Sequence, residues 1–285
     1  MRHTGLMTGL ALATALMGCM KDDGEAEVNR ALRDINVVDE TNLNDIMLQA
    51  ADPNEAVAYF QKSLGQEPDR LEFMRGLGLS LVRAGRAQES ISVWTQAVAH
   101  PDATEADKLE LADALIRSGN WDQAEAVLDS IPPTLETYKR YRLEAMVADS
   151  NKEWDRADSF YETAAGLTTE PGSMYNNWGF SKLARGDYPA AERLFMQAIR
   201  AKPDLFTAKN NLMLARGAQR KYDVPLLNMN QTERAQLLHT SGLAAVKQGD
   251  VTMARSLFKE AIDTHPQHFD AAVRSLRALE TNVAN

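Results

Sequence analysis

The sequence contains a single cysteine, few aromatic residues and no long cluster of lysine and arginine. One cysteine in 285 residues excludes an intrachain disulfide framework and a cysteine-rich zinc site. The chain has 31 basic and 40 acidic side chains, which gives a formal net charge of −9. A phosphate backbone would be repelled on average, so we expect no binding to nucleic acid.

The low aromatic content and the positions of proline and glycine favour helices over strands. Aromatic residues make up 7% of the sequence, and the apolar residues, 44% of it, are dominated by recurring alanine and leucine. The prolines and glycines fall mostly between stretches with helical apolar periodicity. This composition favours helices joined by short turns, and hence an all-α fold.

The longest apolar run lies at the start of the chain and is too short to span a bilayer. It covers about twelve residues, 6–17, whereas a spanning helix needs about 20. Together with the charge of Arg2 and the small residue Gly18, it predicts a signal peptide over 1–18. Leu16-Met17-Gly18-Cys19 resembles a lipobox, in which Cys19 becomes the lipidated N-terminus. The alternative is an ordinary secretory signal with an incidental cysteine.

A lipid on Cys19 would anchor the chain to a membrane of the bacterial cell envelope. Residues 19–36 would then be the lipidated N-terminus and a polar tether. Met20 follows the cysteine instead of the aspartate that retains many lipoproteins in the inner membrane. We therefore expect a periplasm-facing protein held at the outer membrane.

A repeated pattern fills most of the remaining sequence. In residues 175–198, Gly179 and Ala191 are small where two helices would cross, and Phe195 would fill the space between them. Gly186 supplies the turn, and Pro203 ends the second helix. These spacings resemble the tetratricopeptide pattern.

Equivalent small residues recur at Gly78, Ala112, Ala145 and Gly179, in steps of 34, 33 and 34 residues. The period predicts an all-α, right-handed superhelical solenoid of about six to seven helix-turn-helix repeats over 37–281, with a tail at 282–285. An unrelated all-α bundle is the alternative. In the unit of Ala145, we expect Asn151 to occupy the turn.

Two of these units are degenerate. The first is the one that contains Phe60, whose first helix, at about residues 42–51, has a poor pattern. In the other, Pro225 falls where a second helix should run, so we expect a broken or shortened helix there.

The first helices of such repeats line an inner wall that usually binds partner proteins. By register, the wall includes Phe180, Leu214 and the predicted partner-binding residues, which are Arg142, Asn176, Asn177, Asn210 and Asn211. Asn177 and Asn211 occupy the same position in successive repeats and could clamp a peptide backbone, or asparagine could simply be common there. Arg142 and Lys139 could hold a carboxylate, or could be solvated surface residues.

No catalytic motif accompanies the repeats. The histidines form no HExxH motif, and the serines lie in no GxSxG frame. His265 and His268 have the spacing of a metal pair but lack a third ligand, so polar surface is the simpler interpretation. We expect no enzymatic activity, no cofactor, no metal and no small-molecule substrate.

The layout and two particular repeats resemble the TadD-type lipoproteins of the tight-adherence, or Flp, pilus system. The repeats carry Tyr175-Asn-Asn-Trp-Gly-Phe and Ala208-Lys-Asn-Asn-Leu-Met-Leu-Ala, followed by the truncated unit at Val224-Pro225. This resemblance implies a non-catalytic assembly factor whose partners include a secretin or other pilus components. Alternatives are a periplasmic adaptor for outer-membrane protein insertion, cell-wall synthesis or division, and an enzyme or its regulatory subunit.

Overall fold

The computed structural model describes residues 43–283, and all of their regular structure is helical. The predicted signal peptide, Cys19 and the tether lie outside the described residues. The chain divides into two compact units between Ala103 and Thr104. The first unit contains α1 (43–49), α2 (Pro53–Gln66), α3 (Leu71–Arg83) and α4 (Ala87–Ala99).

The second unit contains ten helices. They are α5 (Glu105–Arg117), α6 (Trp121–Asp129), α7 (Tyr138–Ser150), α8 (Trp154–Gly166), α9 (Gly172–Ala184), α10 (Tyr188–Ala201), α11 (Phe206–Ala218), α12 (Gln231–Lys247), α13 (Val251–Thr264) and α14 (Asp270–Val283). Most form antiparallel pairs of about 13 residues joined by a short turn. The all-α class and the helical-repeat architecture predicted from the 34-residue period are confirmed.

Within three of the pairs, α3–α4, α9–α10 and α12–α13, one large side chain of the second helix packs against a glycine on the first. The side chain of Phe195 is completely buried, and a Cβ on Gly179 would lie 2.7 Å from its ring. Trp94 in the first unit makes the same contact with Gly78, at 2.5 Å. Because any side chain on these glycines would collide with a buried ring, the glycines allow the two helices of a pair to approach closely.

The turn within each pair needs one residue in the left-handed conformation. Glycine supplies it in four pairs, with φ between +73° and +84° at Gly85, Gly119, Gly186 and Gly249. Between α7 and α8 the residue is Lys152, with φ of +62°. Asn151, which we expected at this turn, lies in it but caps α7 with φ of −83°, so the left-handed position that glycine fills elsewhere belongs to its neighbour.

No second helix follows α11, in agreement with the break expected at Pro225. Residues 221–230 instead form an irregular connection, here called the strap, that runs to the start of α12. Tyr222 and Val224 of the strap pack against the core of α12–α14, and Leu227 packs against that of α10 and α11. The strap therefore packs against the apolar cores on both sides of it, although it forms no helix.

A buried lysine fastens the strap. Lys209 of α11 is 2% exposed, and its ammonium group donates to the carbonyl oxygen of Asn228 at 2.7 Å. It also pairs with Glu233 at 3.1 Å. Glu233 in turn forms a capping box with Asn230 at the start of α12. One lysine thus joins α11, the strap and α12.

Candidate functional site

The first helices of the second unit lie side by side and form a surface that we call the first-helix wall. It is built from α5, α7, α9, α11, α12 and α14, and a hydrogen bond or ion pair joins each of these helices to the next. These contacts link residues 24 to 36 positions apart, so they fix the lateral register of successive repeats. The predicted partner-binding residues all lie on this wall.

The wall is charged where α5 meets α7. Lys139 pairs with Glu110 at 2.5 Å, and Arg142 pairs with Asp113 at 3.1 Å. Arg117 also donates to Asp113, at 2.8 Å. Burial alone would raise the pKa of Asp113, but the bond from Arg117 and the charge of Arg142 hold that pKa below its ordinary value. The cations at this end are therefore neutralised within the chain.

Asp149 joins α7 to α9. Its carboxylate accepts from Ser181 of α9 at 2.6 Å and from Tyr161 of α8 at 2.8 Å. Burial, with a smaller contribution from the negative charge of Asp149, raises the pKa of Tyr161 far above its usual range. Tyr161 consequently stays a neutral donor at every physiological pH.

Beyond α9 the contacts between first helices are uncharged, apart from the Lys209–Glu233 pair beneath the strap. Asn211 of α11 donates to Asn176 of α9 at 3.0 Å, and Thr240 of α12 donates to Asn210 of α11 at 2.7 Å. A ring nitrogen of His239 lies 3.0 Å from the hydroxyl of Ser275 on α14. Burial lowers the pKa of His239, so its ring is neutral at pH 7.

The structure places the predicted residues together but gives most of them internal partners. Asn176, Asn210 and Asn211 bind neighbouring helices, and Arg142 binds Asp113 with 19% of its side chain exposed. Asn177 is half-buried and forms no side-chain hydrogen bond within residues 43–283. The equivalent asparagines 177 and 211 therefore do not form a uniform clamp, because Asn211 bonds to the residue before Asn177.

Three large apolar side chains at equivalent positions of successive first helices are exposed on the uncharged part of the wall. Phe180 of α9 is 56% exposed, Leu214 of α11 is 37% exposed, and Leu243 of α12 is 47% exposed. Each directly follows the residue at the small-residue position of its repeat, namely Gly179, Met213 and Gly242. The repeat register predicted that Phe180 and Leu214 lie on the wall, but Leu243 was not predicted there. Its position directly after Gly242, equivalent to that of Phe180 after Gly179, is the signal that could have identified it.

The described residues contain no group of three or more metal-ligating side chains. His268 is exposed and lies near Asp270, while His265 stacks on Phe269. Between residues 43 and 283, no helix combines the length and the hydropathy needed to cross a membrane.

Family models for tetratricopeptide repeats match the chain in three stretches. One model matches residues 81–147, and a second matches residues 47–106 and 239–284. A search of curated protein sequences finds no match. Tetratricopeptide repeats are thus recognised in both units, and this repeat suggests a protein–protein interaction scaffold. Proteins of this kind are generally non-catalytic adaptors.

Solved structures with a similar fold share little sequence with the chain. The Cut9 and Hcn1 hetero-tetramer of the APC/C has a TM-score of 0.58 at 14% identity, covering 83% of this chain and 48% of that one. A tetratricopeptide repeat protein from Parabacteroides merdae has a TM-score of 0.54 at 14% identity, covering 84% and 96%. The human IFIT1 dimer with PPP-AAAA has a TM-score of 0.54 at 17% identity, covering 81% and 60%.

These similarities concern the fold alone. The chain spans about half the length of the Cut9–Hcn1 chain that it matches.

Proposed function

The chain contains tetratricopeptide repeats, and from this premise we propose that it is a membrane-anchored scaffold that assembles a tight-adherence (Flp) pilus. In this proposal, a lipid on Cys19 holds the chain at the periplasmic face of the outer membrane. The first-helix wall then binds a secretin or another pilus component. The chain catalyses no reaction.

The observation that carries the scaffold role is the construction of the first-helix wall. Its polar contacts hold six helices in a fixed lateral register, from the Glu110–Lys139 pair to the contact between His239 and Ser275. A surface that is ordered before binding loses less conformational entropy when a partner docks. The exposed side chain of Phe180 in the middle of this surface supports its use for binding, because large exposed apolar groups favour contact with another protein.

The assignment to a pilus apparatus rests on the resemblance to TadD-type lipoproteins. The features that support it are the lipobox at Cys19, the asparagine pairs on α9 and α11, and the truncated unit at Pro225. The strap gives that truncated unit a definite structure, because Lys209 fastens it to the neighbouring helices.

Affinity purification of the full-length chain from its native membrane tests this function. The wild type is compared with Phe180→Asp, which alters the wall, and with Met253→Asp, which alters an exposed apolar residue on α13. Mass spectrometry should identify a secretin or pilus components with the wild type and with Met253→Asp, and should lose them with Phe180→Asp. Recovery of cell-wall or outer-membrane insertion machinery instead would contradict the pilus role.

Cys19→Ser tests the anchor separately. The unacylated chain should leave the membrane fraction without detergent. Continued detergent-dependent association of this variant with membranes would refute lipidation at Cys19.

A further inference from the structure

Phe180, Leu214 and Leu243, which we call the apolar stripe, lie in line across three neighbouring helices. Phe180 follows Asn176 by four residues and Leu214 follows Asn211 by three, so both lie about one helical turn beyond the Asn176–Asn211 bond. Leu214 and Leu243 lie in the same way beyond the Asn210–Thr240 bond. These two bonds hold the three exposed side chains at a common level on the wall.

The surface around the stripe is almost free of charge. On each of α9, α11 and α12, six positions share one helix face: the stripe residue, the positions seven, four and three before it, and those three and four after it. Of these eighteen positions only one, Lys247, carries a charge, whereas 25% of the whole chain is charged. His239 is among the eighteen, and burial keeps its pKa low and its ring neutral.

An uncharged wall selects an uncharged partner surface. A charged side chain docked on the stripe would lose its hydration and find no opposite charge there, which is costly. An apolar ridge gains from burying Phe180, Leu214 and Leu243, whose exposed surface now contacts water. The charge pattern therefore argues against an acidic peptide or a terminal carboxylate as the occupant of this part of the wall.

The spacing of the stripe matches a helix better than a β-strand. Axes of packed helices are about 8–10 Å apart, so the three side chains recur at about that interval. Along an α-helix, seven residues rise by about 10.5 Å and return to nearly the same face. Along a β-strand, residues on one face recur at about 6.7 or 13 Å, which fits the interval poorly.

We propose that the apolar stripe binds an amphipathic α-helix of a partner protein, whose uncharged apolar ridge has a large aliphatic residue at every seventh position. This partner lies across α9, α11 and α12, with successive ridge residues beside Phe180, Leu214 and Leu243. The proposal rests on the proposed scaffold function and names the chemistry that its wall recognises. A polyproline II segment also repeats at about 9.3 Å. Grooves for such segments are lined by several aromatic rings, and the stripe has one.

Peptide binding to the full-length chain in lipid nanodiscs tests this proposal. The first probe is a fluorescent, amidated helical peptide of about twenty residues with a neutral background and leucine at every seventh position. The second has the same composition with its leucines distributed around the helix, and the third is a proline-rich peptide with leucine at every third position. Fluorescence anisotropy should give a Kd for the first probe that is roughly tenfold lower than for either of the others.

The double variant Leu214→Asp/Leu243→Asp should weaken binding of the first peptide by roughly tenfold or more. Met253→Asp, on the second helix α13, should leave its Kd unchanged. Helical content and the thermal midpoint show whether the double variant folds, and Leu214→Ser/Leu243→Ser replaces it if it does not. Equal affinity for the first two peptides, tighter binding of the proline-rich one, or an equal loss with Met253→Asp would overturn the proposal.

The failure of this inference is distinguishable from that of the proposed function. If pilus components are purified with the chain but the first peptide does not bind, the scaffold role stands and the helical partner is wrong. If that peptide binds through the stripe but no pilus component is recovered, the pilus role is wrong and the recognition chemistry stands.

Discussion

At the scale of single residues, the turns show most clearly how the repeat tolerates variation. The left-handed position between α7 and α8 belongs to Lys152, whereas glycine occupies it in the other complete pairs of the second unit. An L-residue in this conformation is strained by about 1 kcal/mol, because its Cβ approaches the following carbonyl oxygen. The lysine side chain is exposed, so it gains no burial that would offset the strain.

Lys152→Gly should therefore stabilise the chain by about 0.5–1 kcal/mol, measured by urea unfolding. Asn151→Gly is the matched control, because Asn151 has an ordinary φ and donates to Glu125 at 3.0 Å. That control should leave the free energy of unfolding unchanged or lower it. The opposite ranking of the two variants would show that the left-handed strain lies at Asn151.

The partners of the asparagines could not be predicted from the repeat register. Asn177 and Asn211 occupy equivalent positions, but the bond of Asn211 runs to Asn176, which lies 35 residues before it. This offset depends on how far neighbouring helices slide along each other, which a period of 34 residues does not encode. The exposure of Phe180 and Leu214, in contrast, follows from register alone, and the structure agrees with their placement on the wall.

At the scale of elements, the strap and its lysine distinguish this chain from a regular array. Pro225 predicted the missing helix because proline lacks the amide hydrogen that a helix interior needs. Nothing in the sequence predicted that Lys209 would be buried, since lysine is normally exposed at a repeat surface. The carbonyl of Asn228 and the carboxylate of Glu233 meet its ammonium group only because the strap folds back over α11.

Lys209→Ala should destabilise the second unit by about 3 kcal/mol, because Glu233 would lose its cation and the Asn228 carbonyl its donor. Hydrogen exchange should accelerate in the strap and in the first turn of α12. Lys202→Ala is the control, as Lys202 is exposed, and it should change neither quantity. Unchanged protection of the strap in Lys209→Ala would show that its packed residues hold it without the lysine.

The docking of the last helix should depend on pH through His239. Its ring contacts Phe258 and Phe269 and bonds to Ser275 of α14. Burial lowers the pKa of His239 in the folded state, so the folded chain favours the neutral ring. This contribution to stability is present above about pH 6.5 and is lost as the pH falls through the lower folded pKa.

His239→Gln should therefore show a smaller fall in its urea midpoint between pH 7 and pH 5 than the wild type does. His268→Gln is the control, because the His268 side chain is 71% exposed, and it should keep the wild-type fall. An identical pH dependence for His239→Gln and the wild type would exclude His239 as the source of the acid sensitivity.

At the scale of the whole molecule, the sequence predicted the architecture because each repeat contributes the same few packing residues at a fixed interval. Gly179 and Phe195, like Gly78 and Trp94, are complementary in shape. Because the two residues of each pair are always 16 positions apart, this complementarity can be recognised from the sequence. The distribution of charge over the first-helix wall arises only when the helices stand side by side. The change along the wall from the charged contact of Arg142 to the uncharged contact of Asn210 therefore could not be predicted from the sequence and is seen only in the folded structure.

Site-specific photocrosslinking in the native membrane tests the central claim, that the first-helix wall binds a partner protein, most directly. A photoreactive residue is placed at Phe180, Leu214 or Leu243 on the wall and, as a control, at Met253 on α13. We expect one partner protein to crosslink at all three wall positions and not at Met253, and the crosslinked partner segment to be helical. Crosslinks confined to Met253, or equal at all four positions, would contradict binding through this wall.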